Sequence, residues 1–281
     1  MNTLQVENPI LKLTHLESQI SELKEIYRAN SPFPHIRIEN FLPPLAIEKV
    51  SSEFPLATTS EWLHYKHVNE KKLGLKNLDQ MPAFTKALIE ELLSDRFTRF
   101  LSQLTGIPNL RADRSLEGGG LHQIQTGGFL NIHADFTAHH RIPNWKRRVN
   151  FLLYLNKDWD TDWNGSLELW NKDMKNCAVK YAPYLNHAVI FTTADDTFHG
   201  HPDPLTCPQN VTRKSIALYY FTEDTDAKRF ARSTNYQPRP TDGFLKRFLI
   251  RIDREAVGLY SRSKARFNIS DEAVSKILKF F

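Results

Sequence analysis

The chain has 281 residues, 41% hydrophobic and 25% charged, which suits one globular domain with extensions or two small domains and provides for a substantial core. No run approaches the ~20 apolar residues of a membrane span, the N-terminus lacks the basic-then-apolar pattern of a secretory leader, and the two cysteines, Cys177 and Cys207, make no disulfide framework, so a cytoplasmic location is expected. Lys and Arg number 37 against 32 Asp and Glu, but no basic stretch is interleaved with aromatics, so no nucleic-acid partner is expected.

In chain order, Leu13, Leu16, Ile20, Leu23 and Tyr27 recur at spacings of three and four and predict a helix over 14–29. Thr14 with Glu17 three residues on reads as its capping box. His35–Glu39 alternates like a strand, and Pro43-Pro44 opens a second helix to about Phe54. Residues 55–80 are polar and read as irregular. Pro82 starts a helix with Phe84, Leu88 and Leu92 on one face.

From 115 the texture changes to short runs rich in Val, Ile, Phe, Tyr and Leu, separated by turn residues. Strands are predicted over 121–125, 129–135, 148–155, 166–170, 177–181, 187–192 and 213–222, a spacing typical of a sandwich or barrel. Beyond 240, Phe244, Phe248 and Ile252 step by four, and Val274, Ile277, Leu278 and Phe281 form another stripe. Residues 241–281 carry nine Lys and Arg against five Asp and Glu, the expected charge of a solvated helical face. The expected divisions are a support region over 1–114, a catalytic core over 115–225 and a basic helical extension over 226–281.

The chemistry concentrates at His133-Ala134-Asp135. Residues two apart on a strand point the same way, so both side chains can reach one ion. A further histidine, His199, follows the apolar run Ala188–Phe191, where a late barrel strand ends. Two histidines and one carboxylate suit a non-haem Fe(II) centre better than zinc. His201 competes with His199, which is favoured because it lies nearer the strand. His201 is expected in a loop beside Pro202, facing substrate or solvent. His139 and His140 are expected near the entrance, and His122 and His187 in structural roles. His-x-Asp alone is a weak signal; the distal histidine and a downstream cation strengthen it. Arg213 opens the run Arg-Lys-Ser-Ile-Ala-Leu-Tyr-Tyr-Phe, where Arg213 and Ser215 share one strand face and Lys214 the other. A guanidinium and a hydroxyl on one inward face suit the distal carboxylate of a keto acid.

His-x-Asp, the distal His and Arg-x-Ser together resemble the Fe(II)/2-oxoglutarate-dependent dioxygenase superfamily, in its prolyl 4-hydroxylase-like branch. Arg148–Trp159, with its Tyr-Leu-Asn, and Gly165–Trp170 resemble two successive strands of that branch, and Pro32–Leu42 its entry strand and helix. The likeness covers roughly 32–223. It implies an α+β fold: a double-stranded β-helix (jelly-roll) core with N-terminal and C-terminal helices packed around it. It implies Fe(II) held by His133, Asp135 and His199, and 2-oxoglutarate held by Arg213, Ser215 and Tyr154. The likeness further implies O2 as the oxidant and allows ascorbate as an accessory. The implied reaction is hydroxylation of an unactivated C–H in a peptidyl-proline, amino-acid or sugar-type substrate, releasing succinate and CO2. Where family members place a tyrosine before His-x-Asp, this chain has Gln123 and Gln125. The prolines of 200–208 predict a stiff segment at the mouth. The alternatives are a cupin-like barrel that binds metal or sugar without oxygenation, and a non-catalytic binding module. Neither oligomeric state nor substrate follows from these residues.

Overall fold

The computed structural model describes residues 9–142, 144–227 and 231–252. The predicted N-terminal helix is two, α1 (Leu13–Ser18) and α2 (Ile20–Ala29), broken at Gln19. Thr14 and Glu17 do not cap α1; both accept hydrogen bonds from Arg96, so the apparent capping box is a tertiary anchor. There follow β1 (His35–Ile38), α3 (Pro44–Ser52), β2 (Leu63–His67), β3 (Glu70–Leu75), α4 (Ala83–Leu92) and α5 (Asp95–Thr105). The strand-rich part comprises β4 (Arg111–Ala112), β5 (Gly120–Ile124), β6 (Phe129–Ala134), β7 (Trp145–Tyr154), β8 (Leu167–Trp170), β9 (Cys177–Tyr181), β10 (Ala188–Thr192), β11 (His199–His201), β12 (Arg213–Glu223) and β13 (Asn235–Tyr236).

The strands form one 13-stranded sheet, ordered β1-β10-β7-β12-β5-β3-β6-β11-β8-β9, with β2, β4 and β13 attached to its side. All the pairings between these strands are antiparallel. This is the double-stranded β-helix fold, curled around an interior, with helices on the outside. Strands β7, β10 and β12 are largely buried on both faces, which is why each contains a continuous apolar stretch, Phe151–Tyr154, Ala188–Phe191 and Ile216–Phe221, rather than a simple alternation. Their outward residues Val149, Phe151, Leu153, Ile190, Ile216, Leu218 and Tyr220 join Leu88, Phe97 and Leu101 of α4 and α5 in the main core. Their inward residues Tyr154, Val189 and Phe191 pack with Leu167 and Leu169 inside the curl.

The stretch 55–80 and helix α5 also differ from the sequence-based expectation. The stretch 55–80 is not irregular: β2 and β3 form a hairpin, and β3 joins β5 to β6 within the sheet. Its polarity has a local cause, since Glu70 and Lys72 face the cavity inside rather than solvent. Helix α5, absent from the expected elements, is capped by Ser94 and ended by Gly106 in the left-handed region that favours glycine. Residues 244–252 are helical as expected, with Phe244, Phe248 and Ile252 exposed and Ile250 buried. The predicted stripe 274–281 lies outside the described residues. Among the described residues, no helix is long and apolar enough to cross a membrane.

Candidate metal centre

Strands β6 and β11 pair antiparallel with His199 directly opposite His133, so the two imidazoles meet across one rung of the sheet, their centroids 4.5 Å apart. Asp135 follows β6 by one residue and turns the same way. Its Oδ1 lies 3.5 Å from His133 Nε2 and its Oδ2 lies 3.4 Å from His199 Nε2. One ligand atom from each of the three residues falls within 4.8 Å of the others. Each imidazole is aimed from behind: Nδ1 of His133 donates to the Asn131 carbonyl at 2.9 Å, and Nδ1 of His199 to the Thr197 carbonyl at 3.1 Å. Because a carbonyl only accepts, Nδ1 carries the proton and a neutral ring keeps its Nε2 lone pair for a cation. Two nitrogen donors and one carboxylate on a common side fit a divalent iron-type ion with open positions.

The carboxylate is held as firmly. Asn150 Nδ2 donates to Asp135 Oδ2 at 2.8 Å, and Arg147 Nη2 lies 3.1 Å from the same oxygen. Burial by itself raises the Asp135 carboxyl, but the opposing pull of Arg147, with His199 and His133, holds it well below the ordinary carboxylate range. Burial also lowers His199, to about 4, so the ring is neutral and ligand-ready at physiological pH.

The three residues line a cavity of ≈ 190 Å³ that also contains Arg213 and Ser215. Arg213 and Ser215 face inward from β12, while Lys214 points away, over the Phe54 ring. Arg213 is 4% exposed; its Nε donates to the Gly165 carbonyl at 2.7 Å and its Nη2 to the Tyr154 hydroxyl at 3.4 Å. No carboxylate among the described residues pairs with it. Burial lowers the guanidinium from its usual value, with Tyr154 opposing, yet arginine stays charged. A buried, uncompensated cation is costly and calls for an anion.

Other expectations need correction. His201 is not a loop residue: it is the last residue of β11, buried in the same cavity, but a register shift between His199 and His201 separates it from the convergent group. Its Nδ1 has no hydrogen-bond partner. His139 is not at an entrance; it is 3% exposed, between Asp113 and Glu117, with His140 also on Glu117. Gln123 faces away, donating to Thr212, and Gln125 is exposed; the β5 residues at the cavity are His122 and Ile124. His122, expected to be structural, thus lines the site. Segment 200–208 is held by Leu205 and Cys207, which pack on Trp159 and Ile124, and its first residues Gly200 and His201 line the cavity.

Arg147 and Asn150 were missed as functional candidates, and the reason is a β-bulge. Tyr220 opposes Val149 but Phe221 opposes Arg147, leaving Arg148 as the extra residue. Strict alternation would put Arg147 on the outward face with Val149 and Phe151. The bulge moves it to the inward face with Asn150 and Leu152. The dipeptide Arg147-Arg148 opening an apolar strand was the available signal.

A double-stranded β-helix that brings two histidines and one carboxylate to a common side suits a non-haem iron centre. Residues 119–221 match the model of the 2OG-Fe(II) oxygenase superfamily, so that stretch carries a domain of the superfamily. Among solved structures, a Trichoplax adhaerens prolyl hydroxylase in complex with a hypoxia inducible factor oxygen degradation domain peptide aligns with TM-score 0.54 at 18% identity, covering 79% of this chain and 98% of that one. A Pseudomonas putida prolyl-4-hydroxylase aligns with TM-score 0.50 at 15% identity, covering 72% and 99%. At such identities the likeness is one of fold. No curated protein matches the chain.

Proposed function

We propose that His133, Asp135 and His199 hold the Fe(II) of this dioxygenase and that Arg213, with Ser215 and Tyr154, holds the distal carboxylate of 2-oxoglutarate. The reaction hydroxylates a C–H bond of a small-molecule or peptide substrate and releases succinate and CO2. The observation that carries this reading is one cavity containing both a two-histidine, one-carboxylate set and a buried guanidinium without a carboxylate partner among the described residues. When bound, the iron supplies the oxidising chemistry, activating O2 at the expense of the keto acid.

The chain's own residues bind, orient and exclude water. The carbonyls of Asn131 and Thr197 fix the imidazole tautomers. Arg213 presents its remaining N–H groups to a carboxylate, and the Ser215 hydroxyl on the same strand face adds a donor. Phe191, edge-on to His199 at 4.7 Å, and Leu152 and Leu167 keep that end of the cavity dry, which strengthens its electrostatics. On the other side, Tyr65, Phe136, Tyr219 and Tyr236 provide aromatic walls for the substrate. A cytoplasmic setting is part of the proposal and rests on the two free cysteines.

The test is 2-oxoglutarate-dependent succinate formation by the Fe(II)-loaded protein, screened against peptide, amino-acid and sugar pools. Stimulation by one pool, abolished in Asp135→Ala, supports the reading. Succinate formation that persists in Asp135→Ala rejects the metal assignment.

A further inference from the structure

We infer that Arg147 and Asn150 form a fork that reserves one oxygen of Asp135, restricts that carboxylate to a single metal bond, and so keeps a coordination position open. The inference rests on the metal assignment proposed above. A carboxylate has two oxygens and can chelate an ion with both. If Asp135 did so, one of the three positions that a facial triad leaves open would be lost. Two of those positions are needed by a chelating keto acid and one by O2, so a chelating aspartate and the reaction are incompatible.

The geometry points to a device against this. Both donors converge on the same atom, Oδ2: Asn150 Nδ2 at 2.8 Å and Arg147 Nη2 at 3.1 Å. Oδ1 receives neither of them. The two donors also lock each other, because the Asn150 carbonyl oxygen accepts from Arg147 Nε at 3.0 Å and Nη2 at 2.8 Å. The guanidinium is further trapped between rings, its carbon 3.4 Å from the Tyr219 centroid and 4.6 Å from that of Phe136. Arg147 is only 3% exposed, so this packing holds its side chain against Asp135. The bulge at Arg148 exists on the strand where it brings Arg147 and Asn150 to one face. Arg147 and Asn150 are therefore positioning residues acting through Asp135.

This role predicts an effect opposite to that of a structural prop. Removing a prop loosens the site and weakens metal binding. Removing the fork frees Oδ2 and takes a positive charge away from the ion, so metal binding should hold or strengthen while the open positions become fewer. Mn(II) is the probe, used with full-length wild type, Arg147→Gln, Arg147→Lys and Asn150→Ala. Three quantities are read: the Mn(II) dissociation constant, the water-proton relaxation enhancement per bound Mn(II), which scales with coordinated water, and the 2-oxoglutarate dissociation constant of the Mn(II) form. The expected result is unchanged or tighter Mn(II) binding by Arg147→Gln and Asn150→Ala. Relaxation enhancement should fall by about a third, one open position of three, and 2-oxoglutarate should bind roughly tenfold more weakly. Arg147→Lys, which keeps the charge, should lie between these and wild type. Should Arg147→Gln fail to fold, Asn150→Ala decides alone, since it removes one donor without unstacking the arginine. Parallel weakening of Mn(II) and 2-oxoglutarate, or unchanged relaxation enhancement, overturns the fork. If wild type itself binds no Mn(II), the metal assignment fails instead.

Discussion

At the three proposed ligands a short stretch of sequence obtains much of the geometry. His133 and Asp135 point together because strand side chains alternate, and His199 reaches them because β11 pairs in register with β6. Replacing His133, Asp135 or His199 by alanine should weaken Fe(II) binding by more than the roughly 10- to 100-fold typical of losing an outer partner, as read by equilibrium dialysis. Arg213→Ala should raise the 2-oxoglutarate requirement by about 10- to 100-fold, the equivalent of charged hydrogen bonds worth roughly 1.5–3 kcal/mol, with Fe(II) affinity changing far less. An unchanged requirement in the succinate assay would remove Arg213 from the cosubstrate. These residues were legible because their chemistry needs particular side chains at strand periodicity. Arg147 was not, because its inward direction depends on one unpaired residue, Arg148, that no alternation pattern reveals.

The elements carry a second constraint, at Gly200 between the two histidines of β11. A methyl group there would stand 2.8 Å from the carbonyl oxygens of both Leu130 and Asn131, and these are backbone atoms that cannot swing aside. Asn131 is also the residue whose carbonyl aims His133. Gly200→Ala should therefore push β11 off β6 and part His199 from His133. The expected outcome is a modest stability loss of ~1–3 kcal/mol by urea unfolding with a disproportionate loss of metal affinity. Intact metal affinity in a folded Gly200→Ala protein would show that the strand spacing has slack. The predicted strands correspond to β5 to β10 and β12, whereas β11, only three residues long, was not predicted as a strand. The hairpin β2–β3 was hidden because its cavity-facing residues are charged: Glu70 and Lys72 pair at 2.9 Å, a partnership formed inside the fold and invisible in the local pattern. At α1 the capping box differs, because Thr14 and Glu17 have the right spacing for a cap but accept from Arg96 instead.

Across the whole molecule, the curled sheet gathers several imidazoles into one poorly solvated interior, and this has a price in acid. Burial lowers His122 to about 3 and His199 to about 4, and depresses His201 well below its ordinary value. A histidine whose folded pKa is depressed contributes stability above its unfolded value of about 6.5, and that contribution is lost progressively as pH falls below it. Metal-free protein should thus lose urea resistance between pH 7 and pH 5, before ordinary carboxylates titrate. A flat profile over that window would contradict the buried, neutral state of these rings. Bound Mn(II) should restore stability at pH 7 by mass action. The fold class was readable from the run of short strands, but the joining of β3 between β5 and β6 was not. That pairing links residues some fifty positions apart, and nothing in either segment alone specifies its partner.

The convergence of residues 133, 135 and 199 on one ion is tested most directly by anaerobic Fe(II) titration of the wild type and His199→Ala in the presence of 2-oxoglutarate. A single tight ion per wild-type chain, lost in the variant, is the predicted result. Equal affinity and stoichiometry in the two proteins would contradict it.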